Sequence, residues 1–323
     1  MTSSAETRRE QVLAALMRCG PDGVSGVELA KRLGCSRAAI HRHVSALRGA
    51  GVAIDGTGTG YRLASASDPV SASIVEAGLQ PPILGPVRWM AETGSTNDDA
   101  AAAARAGAVE GLVIGADLQT AGRGRRGREW TADPGDALLF SVVLRPSSSI
   151  ADAGVVPLLV AVAVCDALGP NAGLIWPNDI VIADTKVCGV LCEVSGDESG
   201  IAWVVAGIGL NVRRAPELSG SRWTAGALAQ HGETRTRGQL LVSVLNALGE
   251  RYSEWRAKGP EPLLEAYRSR DLLRGREVRI QIGNDHVTGV ADGLDERGCL
   301  MVRTARGVRV LSSGEVTKRA AGD

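Results

Sequence analysis

No apolar run in this 323-residue chain reaches the roughly 18 residues that a bilayer span needs. The longest candidate, Val155 to Leu168, is interrupted by Pro157 and Asp166. No membrane-spanning helix is therefore expected. Met1 to Glu10 is polar, with Glu6 and Glu10 among its arginines, and lacks the apolar stretch of a secretory signal. A cytoplasmic protein with no membrane partner is the expectation. None of the six cysteines (Cys19, Cys35, Cys165, Cys188, Cys192 and Cys299) forms a CxxC pair, and His41, His43, His231 and His286 lie away from them in sequence. Buried reduced thiols are expected, with no structural zinc and no tightly bound metal. Lysine is scarce: Lys31, Lys186, Lys258 and Lys318 are the only ones among 36 basic residues. A lysine kept at the start of an apolar strand against such a bias needs a reason, and Lys186 is that lysine.

Net charge is also missing, but the zero is a sum of unlike parts. Residues 1–63 hold nine Lys/Arg against five Asp/Glu, a net of +4, and the remainder is −4. A basic head on an acidic body suggests that only the head meets a polyanion. The hydrophobic share of 44% and charged share of 22% exclude a disordered or fibrous chain. The length fits two domains with room for a small third.

In the head, Val12, Leu13, Leu16 and Met17 form a helical stripe that Gly20-Pro21 stops. Ser25-Gly-Val-Glu28 is a capping box opening a second helix to Leu33. After the Gly34-Cys35 turn, Ser36 caps a third helix ending near Arg48, with Ile40, Val44 and Leu47 on one face and Arg37, His41, Arg42 and Ser45 on the other. Val52 to Ile54 and Tyr61 to Leu63 flank a glycine-rich hairpin, the form of a wing. A winged helix-turn-helix that binds DNA is expected: guanidinium groups reach phosphate or guanine edges, and Ser and His reach bases. A three-helix dimerisation or adaptor module is the competing reading. Residues 64–73, small and containing Pro69, read as a linker.

Four segments of the body bear chemistry. Gly94-Ser95-Thr96-Asn97, followed by Asp98 and Asp99, is a helix start, with Ser95 or Thr96 as cap. Gln119 to Trp130 contains four arginines and three glycines between Gly122 and Arg128, flanked by strands Leu112–Ala116 and Leu138–Leu144. Glycines let backbone amides approach an anion and arginines neutralise it, so an ordered anion-binding loop is expected, closing when ligand arrives; a disordered RNA-binding tract has a similar composition. Leu174 to Asp179 is a strand halted by Pro177, with Lys186 to Glu193 beyond it placing the Lys186 ammonium at a pocket rim, unless it merely snorkels at the surface. Trp203 to Asn211 is a strand whose Gly207 and Gly209 clear space for a flat ligand, or mark a bulge.

Together and in this order these segments resemble the biotin–protein ligases, and with the head, the bifunctional biotin–protein ligase and biotin operon repressor type. The resemblance runs from Val12 to about Val316. Its strongest matches are Gly122 to Arg128, Trp176-Pro-Asn-Asp179, Lys186-Val-x-Gly-Val-Leu-x-Glu193 and Gly207-Ile-Gly-Leu-Asn211. It implies that Ser95, Thr96, Asn97 and Gln119 line a biotin pocket with Gly189, Gly207 and Gly209. Arg123, Gly124 and Arg125 would close over biotin, and Lys186 would contact the reacting carboxylate and phosphate, with Arg125 and Lys186 catalytic. Arg128, Trp130, Asn178, Asp179 and Asn211 would serve ATP, Asn178 and Asp179 also supporting its Mg²⁺. Ser36 to Ile40, Ala39 included, resembles the family's recognition helix. The family's usual basic residue before Trp-Pro-Asn-Asp is here Ile175, which implies weaker ATP binding or compensation by a nearby arginine.

Gly275 to Val316 reads as short strands: Glu277–Ile282, His286–Ala291, Cys299–Arg303 and Val308–Leu311. The expected fold is an α+β multidomain chain: the winged head (1–63), the linker (64–73), an α/β catalytic domain with a mixed sheet (74–272), and a small β-barrel (275–323) that the resemblance implies to be Src-homology-3-like. The implied activity makes biotinyl-5'-AMP from biotin and ATP and passes biotin to a lysine of a biotin carboxyl carrier domain. The adenylate-bound homodimer would repress transcription. Three alternatives stand beside it: a lipoate–protein ligase, a ligand-sensing repressor without catalysis, and a ligase whose head no longer regulates.

Overall fold

Val12, Leu16, Leu29, Ile40, Val44 and Leu47 recur at helical spacing and meet in one small core. They belong to α1 (Ser4–Arg18), α2 (Gly26–Arg32) and α3 (Arg37–Gly49). The computed structural model describes residues 4–319 except 20–22, 50–51, 58–59, 65–67, 81–84, 148, 199 and 217–223. The Gly20-Pro21 stop thus lies outside the described residues, as do the tip of the wing and part of the linker. Ser25 caps α2 by accepting the Glu28 N–H at 3.0 Å. The reciprocal half of the box is not made, because the Glu28 carboxylate is taken by Arg32 at 2.7 Å. The wing strands are longer than expected, β1 (Ile54–Thr57) and β2 (Gly60–Leu63), since Asp55 and Arg62 face each other in register and pair at 3.2 Å. Gly60 is obligatory here: a Cβ would lie 2.1 Å from the Val24 carbonyl, where the wing abuts the start of α2.

The stretch read as a linker is no free tether from Asp68 onward. Val70 and Ser71 are buried, and Ser71 caps α4 (Ala72–Gly78). Glu10 of α1 accepts hydrogen bonds from the Ser71 hydroxyl and from the Ser73 N–H and hydroxyl. Asp68 accepts the Arg237 N–H and pairs with Arg213 at 2.6 Å. The Arg237 guanidinium is buried, and donates to the Asp68 carbonyl, to Asp117 at 2.7 Å and to the Ala137 carbonyl. A buried cation is tolerated only with such full pairing.

The body is a mixed eight-stranded sheet in the order β3-β4-β5-β9-β8-β7-β6, with β10 beside β8. Its strands are β3 (Val87–Thr93), β4 (Val113–Gln119), β5 (Ala137–Leu144), β6 (Gly173–Ile175), β7 (Asp179–Ile182), β8 (Thr185–Asp197), β9 (Gly200–Asn211) and β10 (Thr224–Ala225). β3 runs parallel to β4 and β10 to β8; the other pairs are antiparallel. Side-chain alternation splits β5 between two layers. Leu138, Phe140, Val142 and Leu144 join the main core with α6 (Val156–Leu168), α7 (Arg237–Lys258) and α8 (Glu261–Arg268), whereas Val143 packs under α5 (Thr96–Arg105) with Ile114 and Val205. The apolar run interrupted by Pro157 is α6, hydrophobic all round because it is central to that core, with Pro157 in its first turn where no N–H is required. Among the described residues no helix is long and apolar enough to cross a membrane.

The C-terminal unit is antiparallel as expected, but has five strands: β11 (Glu277–Ile282), β12 (Asp285–Leu294), β13 (Leu300–Thr304), β14 (Gly307–Leu311) and β15 (Glu315–Arg319), in the order β14-β13-β12-β11-β15. The sequence reading missed β15, which pairs with β11 across a register shift. Trp176 ties this unit to the body, its indole N–H donating to the Gly298 carbonyl at 3.2 Å.

Candidate active site

The site is floored by the first turn of α5, which lies on β5 and β9. Thr96 donates both its N–H and its hydroxyl to Gln119 Oε1, at 2.7 and 2.9 Å. Asn97 Nδ2 donates to the Leu191 carbonyl at 3.3 Å and to Glu193 at 3.0 Å, while Oδ1 accepts from Ser141 at 2.7 Å. Asn97 thus lines the cavity, as the resemblance implied, with its side-chain amide held by Leu191, Glu193 and Ser141. It occupies the space above Gly207, where a Cβ would be 2.2 Å from its Oδ1. Ser95 stands at the cap position but its hydroxyl makes no cap bond; Thr93 instead donates to Asp99 at 2.5 Å.

Over this floor the arginine loop folds back on itself. Trp130 N–H donates to the Gly122 carbonyl at 2.9 Å and Gly124 N–H to the Arg128 carbonyl at 2.7 Å. Each arginine has a separate task. Arg123 forms a two-pronged pair with Asp98 at 2.6 and 2.7 Å and also reaches Glu193 at 3.4 Å. The Asp98 hydrogen bond raises the Arg123 pKa, and Arg123 in turn holds the Asp98 carboxyl below its ordinary range. Arg126 and Arg128 pair with Glu315 of β15, at 3.4 and 3.0 Å. Arg125 donates to Asn178 Oδ1 at 3.1 Å and has no ion-pair partner among the described residues. Burial pushes its pKa down, yet a group so basic remains charged at neutral pH.

The far wall is the β6–β7 turn and the start of β8. Lys186 lies 2.6 Å from Asp179, each about one-fifth exposed, and 5.7 Å from the centre of the Trp130 ring. The Trp130 indole covers the bare faces of Gly209 and Gly189, whose added Cβ atoms would meet it at 2.4 and 3.0 Å. The clearance expected at Gly207 and Gly209 is therefore filled by the protein's own Asn97 and Trp130. Two buried polar atoms here lack partners among the described residues, Trp130 Nε1 and Asn211 Oδ1, although Asn211 Nδ2 donates to the Gly226 carbonyl at 3.0 Å. Buried polar atoms without partners are costly, and a site's own ligand is a natural complement.

These groups enclose a cavity of about 330 Å³. Every residue that the resemblance implied for acid or nucleotide lines it, Gly124, Gly189 and Asn211 included. The head residues form a separate patch: Arg37, His41, Arg42 and Ser45 are exposed on α3, Ala39 is half-buried, and the Ser36 hydroxyl caps the helix by accepting the Ala39 N–H at 3.2 Å. Sequence reasoning missed Ser141 and Glu315, and quoted Glu193 as the end of a matching segment without giving it a role. Ser141 carried a signal, as the one polar residue in β5; Glu315 carried none, because its strand was not anticipated. No group of three or more metal-ligating side chains occurs among the described residues.

Fold and site define a class: a ligase domain of the kind that activates an acid, joined to a winged helix and a small C-terminal β unit. The Biotin/lipoate A/B protein ligase family model matches residues 95–211, the HTH domain model 8–62, and the Biotin protein ligase C terminal domain model 274–319. The bifunctional ligase/repressor BirA of Bacillus subtilis is 30% identical over 321 residues, covering 96% of this chain and 98% of that protein. The biotin–[acetyl-CoA-carboxylase] ligase of Mycobacterium tuberculosis is 36% identical over 237 residues, covering 70% of this chain and 86% of that one. Among solved structures, the biotin protein ligase from Aquifex aeolicus in complex with biotin and ATP superposes with a TM-score of 0.62 at 30% identity, covering 72% of this chain and 99% of that one. The chain belongs to the bifunctional biotin–protein ligase and repressor family.

Proposed function

We propose that this protein activates biotin with ATP as biotinyl-5'-AMP, transfers biotin to a lysine of a biotin carboxyl carrier domain, and represses transcription through its head in response to biotin. The observation that carries the catalytic reading is the meeting of Arg125 and Lys186 at one cavity, beside Asn211 Oδ1 and Trp130 Nε1, which have no partner among the described residues. A carboxylate is a weak electrophile. Its oxygen first attacks the α-phosphorus of ATP, the bond to the β-phosphate oxygen breaks, and pyrophosphate leaves.

That step drives two anions together. Arg125, in no ion pair among the described residues, and Lys186, released from Asp179, offset the charge by position and electrostatics. Asn211 Oδ1 suits the exocyclic amine of adenine and the Trp130 face its ring. Asp179 and Asn178 offer oxygen donors and would hold the Mg²⁺ of ATP, which would supply neutralisation of phosphate charge. The arginine loop shields the mixed anhydride from water. The carrier lysine, as a free amine, attacks the acyl carbon; the bond to AMP breaks and a proton passes to solvent.

The exposed cationic face of α3 supports DNA recognition, and adenylate-linked homodimerisation would set two such helices on a palindromic operator. We take the working units as residues 1–63, 64–73, 74–272 and 275–323. The six unpaired cysteines suit the reducing cytoplasm. Pyrophosphate exchange tests the first step: exchange with biotin and none with lipoate is expected, alongside a carrier mass gain of about 226 Da. Exchange with lipoate alone, or with neither acid, sinks the reading. A footprint on the protein's own upstream DNA, strengthened by biotin plus ATP, tests the head.

A further inference from the structure

β5 is buried along its whole length, and seven of its eight residues are apolar; the exception is Ser141, which is 0% exposed. A hydroxyl in the middle of such a strand is costly unless its bonds are made. Ser141 faces the α5 layer, beside Gly207 in the β5–β9 register. Its oxygen lies 2.7 Å from Asn97 Oδ1 and 2.8 Å from Thr96 Oγ1.

Counting protons fixes the direction of this network. Asn97 Oδ1 can only accept, so Ser141 donates. Thr96 has one hydroxyl proton and gives it to Gln119 Oε1, which also receives the Thr96 N–H. The Thr96 oxygen therefore presents a lone pair towards Ser141, whose single proton is shared between the two acceptors. At the other end Gln119 Oε1 is used twice, so the side chain meets the cavity with Nε2, a donor without a protein partner among the described residues.

We propose that Ser141, which cannot touch the substrate directly, is a positioning residue that fixes Thr96, Asn97 and thereby the donor end of Gln119, tuning the pocket for the carbonyl of a cyclic urea. This rests on the biotin reading above. A saturated disulfide ring such as that of lipoate offers no carbonyl to the same donor, so the network also favours one acid over the other.

The test is S141A, which removes the donor at little change in volume. KM for biotin, and the calorimetric Kd for biotin, should rise about tenfold, as expected for one buried hydrogen bond with its dependent geometry. KM for ATP and kcat should stay near wild-type values. Desthiobiotin, which keeps the urea, should weaken by the same factor. Combined with Q119A, the loss should be less than the product of the single losses, since both act on one contact. Unchanged biotin affinity in S141A overturns the proposal, as does an equal rise of KM for biotin and ATP with a fall in Tm, which would mark a merely structural serine. Should S141A not fold, S141C fills the volume with a weak donor, and wild-type biotin affinity in folded S141C overturns the proposal equally. Failure of the biotin reading looks different: the wild-type protein itself then shows no biotin-dependent exchange.

Discussion

Ile175 occupies the position opposite Asp179 in the β6–β7 register, and it is 1% exposed. A lysine there would bring an ammonium beside the carboxylate that now pairs with Lys186. I175K is expected to lower KM for ATP a few-fold; a raised KM in steady-state kinetics would mean that the new cation has taken Asp179 from the nucleotide site. The cysteines give a second check at this scale. Burial pushes both Cys165 and Cys192 to about 12, so almost no thiolate exists at pH 8. Iodoacetamide at that pH should leave both unmodified in the folded protein, as read by peptide mass, and modify them after unfolding. Much of this chemistry was visible in the chain itself. Lys186 stood out through the scarcity of lysine, and the loop through four arginines among three glycines. Ser141, visible only as a polar residue in an apolar strand, and Glu315 could be given no role, because their meaning lies in partners 45 and 189 residues away. Alternation along a strand reveals which face a residue takes, but not what lies above that face.

The arginine loop and the first turn of α5 work as one element, because Asp98 of α5 holds Arg123 of the loop. The pair is exposed enough that it adds at most about 1 kcal/mol to stability, so its effect is on loop position. Arg123 lowers the Asp98 pKa, so the pair is complete above the ordinary carboxylate range and is lost as pH falls through the depressed value. Between pH 6 and 8 loop closure should thus be independent of this group. D98N should mimic the acid state at neutral pH, releasing biotinyl-5'-AMP a few-fold faster in a single-turnover leakage assay; unchanged leakage would remove Asp98 from the closing device. The seat of Trp130 gives a sharper test. G209A places a methyl 2.4 Å from its ring, so the indole must leave. KM for ATP should rise at least tenfold, while biotin binding, measured without nucleotide, falls less. The starts of α2, α3 and α5, several strands of the body and the cation loop were legible as patterns, whereas β15 was not. The filling of Gly207 and Gly209 by Asn97 and Trp130 was not, since a bare glycine face looks the same whether a ligand or a side chain covers it.

Across the whole molecule, two joints hold the three units together. At the C-terminal joint, W176F deletes the indole donor and leaves the Gly298 carbonyl without it, a loss of about 1 kcal/mol. The C-terminal unit should then be cut away faster in limited proteolysis, and KM for ATP should rise because Glu315 no longer steadies Arg126 and Arg128. Unaltered proteolysis would show that the apolar core shared by Val278, Ile280 and Leu300 with the body alone suffices. The three-part plan was legible from charge and motif order, but the joints were not: Asp68, Glu10 and Trp176 have ordinary neighbours in sequence and unusual ones in space. At the N-terminal joint, Glu10 on Ser71 and Ser73, with Asp68 on Arg213 and Arg237, makes a strut of what reads as a string. A string would let each head rotate to meet its half-site; a strut carries the heads at a set phase. Shifting one half-site by a single base pair turns it by about 35° around the duplex. The proposed repressor should therefore behave as a ruler, tolerant of changes in the spacer's bases and intolerant of changes in its length.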